Sequence, residues 1–336
     1  MTALRWLHRP KLRRPVLVAA FEGWNDAGDA ASGAARWLAD RFGAELVATI
    51  DSEDFFDFTT TRPQVVIGDD GVRRIDWPDT ELWAAETDGP ADLVVLVGNE
   101  PHLRWRTYCK AVTEAADALD CSLVITLGAL LSDVPHTRPT TVTGTGDDPD
   151  VIEQLGLVTS SYEGPTGIVG ALHVACRARD LPSASLWAAV PTYVSGAPSP
   201  KATLALVERA SRMLGFDLPT TDLEIAAAAY ERQIDELVEA DEDTAAYVAS
   251  LEEQADEEER DAELGPRDTE PGTQSHPEGH PSAHQGPLSP LEDADPPQQL
   301  PTLRWRNCVG PRPVLDSIRG HAGRCQPAKQ PGPDAL

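Results

Sequence analysis

Four short, nearly continuous apolar runs set the limits on what this chain can fold into. They are Val16–Phe21, Leu93–Val97, Leu123–Leu127 and Ser185–Val190. Runs of five or six residues without polar alternation read as strands buried on both faces. Stretches of helical periodicity lie between them. The first spans Ala27–Phe42, with Asp26 as its N-cap and Ala30, Ala31, Ala34, Leu38 and Phe42 as its inner face. Others run from about Arg104 to Leu119, from Thr166 to Arg179, and from Pro200 to Leu214. Leu46–Ile50 adds a strand, and residues 64–77 read as a hairpin turning through Asp69-Asp70-Gly71. Strands alternating with helices predict an α/β fold, a mostly parallel sheet covered on both faces in three α/β/α layers.

Each buried run ends abruptly in a polar string. The first gives Glu22-Gly23-Trp24-Asn25-Asp26, and the second gives Gly98 to Arg106, with Glu100, His102, Arg104 and Arg106. The third gives Gly128 to Pro139, with Asp133, His136 and Arg138, and the fourth gives Pro191 to Gly196, running on to Ser199-Pro200-Lys201. Tyr162-Glu163-Gly164-Pro165-Thr166-Gly167 opens a helix whose first amides suit an anion. In a parallel sheet these loops share the carboxyl edge, where such folds place their sites. The candidate crevice residues are therefore Glu22, Trp24, Asn25, Asp26, Glu100, Arg104, Arg106, His136, Arg138, Glu163, Thr166 and Lys201. Two readings stay open: a ligand crevice, or charged groups that satisfy one another and fix long loops.

Familiar reaction signatures do not match. Gly164-Pro165-Thr166-Gly167 is neither a phosphate-binding loop nor a dinucleotide fingerprint, and Ser195 lacks the glycine two residues earlier that a nucleophile elbow needs. His136 is alone in its loop, and His276, His280 and His284 stand among prolines, so no metal and no cofactor is expected. The tryptophans Trp24, Trp37, Trp83, Trp105 and Trp187 read as core or loop anchors.

Charge divides the chain. Residues 1–230 hold 19 basic against 32 acidic residues, residues 231–300 hold 3 against 21, and residues 301–336 hold 6 against 2. The total of −27 disfavours nucleic acid and anionic membrane surfaces as partners. Past Asp217, Leu223, Ala227, Tyr230, Ile234, Leu237, Val248, Leu251 and Ala255 fall at three-four spacing, broken at Asp241–Thr244. That predicts two acidic amphipathic helices, the second capped from Asp241-Glu242-Asp243. Their stripe is too narrow to make a core alone but can pack on a body or a partner; Tyr230, Ile234, Leu237, Val248 and Leu251 are expected to bind a partner. From Gly265 onward Pro, Gly, Ser, His and Gln dominate, and disorder is expected. The boundaries expected are 1–220 for the α/β domain, 221–264 for the helical extension and 265–336 for the tail. An odd number of cysteines, five, none at metal or redox spacing, and the lack of a 20-residue apolar run predict a reduced, cytoplasmic setting away from membranes.

The strings FEGWNDAGDAA (Phe21–Ala31), GNEPHLRWR (Gly98–Arg106), GALLSDVPHTRP (Gly128–Pro139), YEGPTGIVG (Tyr162–Gly170) and SPKATL (Ser199–Leu204) run in order across residues 15–215. In these strings the chain resembles the proteasome assembly chaperone 2 family, in its longer actinobacterial form. The resemblance implies a phosphorylase-like α/β/α domain and a non-catalytic, oligomeric protein that binds protein partners, proteasome subunits among them. Archaeal relatives dock through a C-terminal hydrophobic–tyrosine–any motif, whereas the last residues here are Asp334-Ala335-Leu336. The alternative is an enzyme or small-molecule-binding protein of phosphorylase-like fold, acting on a nucleoside and phosphate or as an ATP-grasp-like carboxylate–amine ligase through the crevice. No glycine-rich lid or paired metal-binding carboxylates accompany it.

Overall fold

A computed structural model describes residues 3–194 and 196–264, with side chains to 260. The expected disordered tail, the three-histidine cluster, Ser195 and the last residues lie outside the described residues.

The first apolar run becomes β2 (Val16–Glu22), after a short β1 (Leu4–Trp6). It pairs in parallel with β7 (Leu93–Asn99) on one side and β8 (Leu123–Ser132) on the other. β8 pairs in parallel with β11 (Ser183–Pro191), completing four parallel strands at the centre. On one flank, β6 (Thr80–Ala85), β3 (Glu45–Ile50) and β1 follow, each antiparallel to its neighbour. On the other, β9 (Val142–Gly146) is antiparallel to β11, and β10 (Val158–Thr159) is parallel to β9. The nine-stranded order is β1-β3-β6-β7-β2-β8-β11-β9-β10. β4 (Gln64–Ile67) and β5 (Arg73–Asp76) make the expected hairpin as a separate two-stranded sheet.

Alternate residues of β2 feed opposite layers, because side chains alternate across a strand. Leu17, Ala19 and Phe21 pack with Tyr108 and Val112 of α2 (Trp105–Ala118) and with Ile168 and Leu172 of α4 (Ile168–Arg177). Val16, Val18 and Ala20 pack with Ala30, Ala34 and Leu38 of α1 (Ala30–Arg41) and with Leu206, Val207 and Ala210 of α5 (Pro200–Leu214). The three layers expected are therefore present. A short α3 (Pro149–Leu155), N-capped by Asp148, links β9 to β10.

Besides β1, β6, β9, β10 and α3, which the sequence reading did not include, two details differ from it. The first helix is not continuous from Ala27: a 3-10 turn over Ala27–Asp29 precedes it, with Gly28 and Asp29 at positive φ. Asp26 still caps α1 across that turn, its Oδ1 accepting from the amides of Ala31 (2.7 Å) and Ser32 (3.2 Å). β8 also runs five residues beyond Leu127, since Gly128 to Ser132 pair with Trp187 to Pro191. Gly128 permits this pairing, because a Cβ there would lie 2.5 Å from the Trp187 ring.

The extension forms α6 (Thr221–Glu239) and α7 (Glu242–Leu264), and Asp241 Oδ2 accepts from the Thr244 amide as expected of a cap. α6 packs along α5. Among the described residues, no helix is long and apolar enough to cross a membrane.

Candidate functional site

The four parallel strands deliver their loops to one edge, where the candidate residues separate into two groups. In the first, the Glu100 amide donates to the Glu22 carbonyl (2.8 Å), tying the β2 and β7 ends together. Asn25 Nδ2 donates to Glu100 Oε1 at 3.0 Å, and the same oxygen accepts from the Ile168 amide at 2.8 Å. The Glu100 carboxylate thus occupies the anion position at the start of α4. The chain's own glutamate fills the site that the Tyr162–Gly167 string offered to a ligand. Gly167 makes room for this, since a Cβ there would fall within 2.7–2.9 Å of Asn25 and Glu100 side-chain atoms. Glu22 pairs with Arg36 of α1. Asp26 is buried, and burial raises its carboxyl above the ordinary range; its Oδ2 has no hydrogen-bond partner. The Asn25 carbonyl accepts from the Ala129 amide (2.8 Å), which joins this group to the β8 end.

The second group lies between the β8 and β11 loops and the extension. His136 is buried, its Nδ1 2.8 Å from Tyr193 Oη and its Nε2 3.0 Å from Asp235 Oδ1 of α6. Tyr193 Oη also accepts from the His136 amide at 2.7 Å. The Asp235 carboxylate only accepts, so in the neutral ring Nε2–H donates to it and Nδ1 accepts from the Tyr193 hydroxyl. Lys201 Nζ donates to the His136 carbonyl and pairs with Glu231 of α6. Arg138 donates through Nε (2.9 Å) and Nη2 (2.8 Å) to Asp256 of α7, and the Tyr247 hydroxyl donates to Asp133 (2.9 Å). Of these groups His136, Arg138 and Lys201 line a cavity of about 230 Å³, together with Ser199 and Tyr230 among others.

The remaining candidates stand apart from both groups. Arg104 pairs with Asp54 at 2.6 Å on the surface, and Arg106, Glu163 and Thr166 are exposed. Trp24 is 68% exposed, so it is not the anchor its residue type implied. The extension brings the larger correction. Tyr230, Ile234, Val248 and Leu251 are buried and Leu237 is half-buried within the chain itself, so this stripe is already covered by its own protein. Burial of the apolar stripe drives this packing, and the flanking carboxylates Glu231, Asp235 and Asp256 meet Lys201, His136 and Arg138 at its border.

Sequence reasoning missed Tyr193, Glu231, Asp235 and Asp256 as members of this edge. One signal was present: Glu231 and Asp235 are four apart on α6 and border the buried Ile234. The described cysteines Cys109, Cys121 and Cys176 are buried and their thiols are pushed up to about 11, 12 and 12 by desolvation, which makes them poor nucleophiles. No group of three or more His, Cys, Asp or Glu among the described residues is placed to hold a metal ion.

A family model described as the PAC2 family matches residues 20–238, which takes in every strand-end loop and α6. The chain belongs to the PAC2 family. A PAC2 family protein from Streptomyces avermitilis is 45% identical, with 70% of this chain and 99% of that one covered and a TM-score of 0.65. A Mycobacterium tuberculosis proteasome-assembly chaperone homologue is 43% identical, covering 69% and 99%, with a TM-score of 0.62. The PAC2 fold extends to an archaeal proteasome activator from Pyrococcus furiosus, 17% identical, covering 70% and 97%, with a TM-score of 0.58. None of the curated proteins is significantly similar to this chain.

Proposed function

We propose that this PAC2 protein is a non-catalytic, proteasome-assembly-like chaperone that binds protein partners, proteasome subunits among them, at the carboxyl edge of its sheet. One observation carries the reading. Most buried polar groups of that edge engage one another, Asp26 Oδ2 and the Tyr230 hydroxyl excepted, while Trp24, Leu103, Leu130, Leu131 and Tyr162, at strand ends and in connecting loops, are exposed. Exposed apolar and aromatic side chains beside polar groups that engage one another suit a protein interface better than a reacting centre. The names of the mycobacterial and archaeal relatives point the same way.

The test is binding of purified proteasome core-particle subunits to the full chain. Trp24→Ala with Tyr162→Ala should weaken capture by about 2–4 kcal/mol, the cost of truncating aromatic anchors. Binding that ignores both changes, or no binding by the parent chain, refutes the assignment.

A second reading has one observation in its favour: Tyr230 and Ser199 line the 230 Å³ cavity, and the buried Tyr230 hydroxyl makes no hydrogen bond. A small polar ligand would supply that partner. A thermal-shift titration with phosphate, nucleosides and nucleotides tests it, with a saturable rise in Tm of the parent chain that is lost in Tyr230→Phe as the supporting result.

A further inference from the structure

The lining of the cavity beside His136 divides by exposure. Ser199 and Tyr230 are 2% and 5% exposed, and the Tyr230 hydroxyl makes no hydrogen bond. Glu258 and Glu259, from the second half of α7, line the same cavity and are open to solvent. A buried hydroxyl left unpaired costs stability, so a molecule that supplies its partner binds with that gain. At about 230 Å³ the cavity is far larger than the ~10–15 Å³ that one water needs. A molecule of several heavy atoms fits there.

Charge decides what kind of molecule. Arg138 and Lys201 line the cavity, but each is already engaged by a carboxylate, Arg138 by Asp256 and Lys201 by Glu231. Asp235 meets His136, and Glu252 accepts from Thr137. Among the described residues, Glu258 and Glu259 form no ion pair. Two cations thus stand against six carboxylates, and the whole chain, at −27, has the same sign. An anion entering here is repelled and a cation is attracted. The cation's place is set by Lys201, whose side chain is 15% exposed and whose ammonium repels a second one beside it. The charged end therefore belongs with Glu258 and Glu259, and an uncharged polar end with Ser199 and Tyr230.

We propose that this cavity binds a hydroxylated primary amine, an amino alcohol or amino sugar. Its ammonium pairs with Glu258 and Glu259, and its hydroxyls bond to Tyr230 and Ser199. The proposal rests on the second reading above, that the cavity holds a small polar ligand, and narrows that ligand to a cation. Because α7 supplies both carboxylates, the bound amine also holds α7 against the body.

Calorimetric titration of the full chain with glucosamine, glucose and inorganic phosphate tests it. Glucosamine should bind saturably, at least about tenfold more tightly than glucose, and phosphate should not bind. Added salt should weaken glucosamine binding and leave glucose binding unchanged. Glu258→Gln with Glu259→Gln should remove the preference for glucosamine without changing Tm, since both residues are exposed. Tyr230→Phe, which keeps the ring, should weaken glucosamine and glucose alike by about fivefold. Glucose or phosphate binding as tightly as glucosamine, with the Tyr230→Phe loss intact, overturns the amine and leaves the cavity a ligand site. Glucosamine binding indifferent to the two glutamines overturns the proposal too. So does the absence of glucosamine binding, and the cavity reading then stands or falls on the nucleoside titration alone.

Discussion

Ile234→Asp is expected to strip the helical extension from the body and to lower stability by about 4 kcal/mol. Ile234 is fully buried in α6, and Leu251 in α7 is 3% exposed. Removing a buried Ile forfeits about 1.5–3 kcal/mol of burial. An unpaired carboxylate in the same place adds a desolvation cost, which puts the change among the severe single substitutions. The loss spreads because α6 is tied on both sides of this residue: Glu231 pairs with Lys201, and Asp235 meets buried His136. Leu251→Asp should act in the same direction on α7. Urea denaturation measures the loss, and limited proteolysis should reveal new cleavage within 221–264. Ile225→Asp is the internal control, since Ile225 lies on the same helix but is 66% exposed; it should change stability by no more than about 0.5 kcal/mol. Equal stability for Ile234→Asp and Ile225→Asp would mean that the extension contributes nothing to the fold.

His173 should make the fold sensitive to mild acid. It projects from α4, with Nδ1 2.8 Å from Ser183 Oγ and Nε2 2.6 Å from Ser185 Oγ and 3.0 Å from Thr126 Oγ1. Burial disfavours the charged ring and pulls its pKa down to about 4 from the ordinary 6.5, with Asp147 opposing weakly. The unfolded chain therefore binds a proton at this residue between pH 6.5 and 4 that the folded chain refuses. Stability rises with pH wherever the unfolded state holds more protons, so this contribution is complete above pH 6.5 and is lost progressively as pH falls from 6.5 to 4. By pH 5 the loss amounts to about 2 kcal/mol. His173→Gln, which never charges, should lose about that much less than the parent chain between pH 7 and pH 5 by urea denaturation. Identical pH dependence in the two proteins would assign the acid sensitivity elsewhere.

The amino-acid sequence by itself determined the sheet's centre. Val16–Phe21, Leu93–Val97, Leu123–Leu127 and Ser185–Val190 are apolar on both alternating faces, and only strands sandwiched between two helical layers bury both. It determined the long helices too, because a 3.6-residue apolar period is a local property. The flanking β1, β6 and β9 were not legible as strands. β9 reads Val-Thr-Gly-Thr-Gly, and its pairing with β11 depends on a partner nearly 40 residues away, not on its own composition. Tertiary structure alone decided how the strand-end residues are used. No spacing rule shows that Glu100 caps α4, 68 residues later, or that His136 reaches Asp235, 99 residues later. Those pairings arise where the parallel strands end together and the extension folds back on them. The stripe of Tyr230, Ile234 and Leu251 shows why: an amphipathic face states that something must cover it, and only the three-dimensional path of the chain states what does.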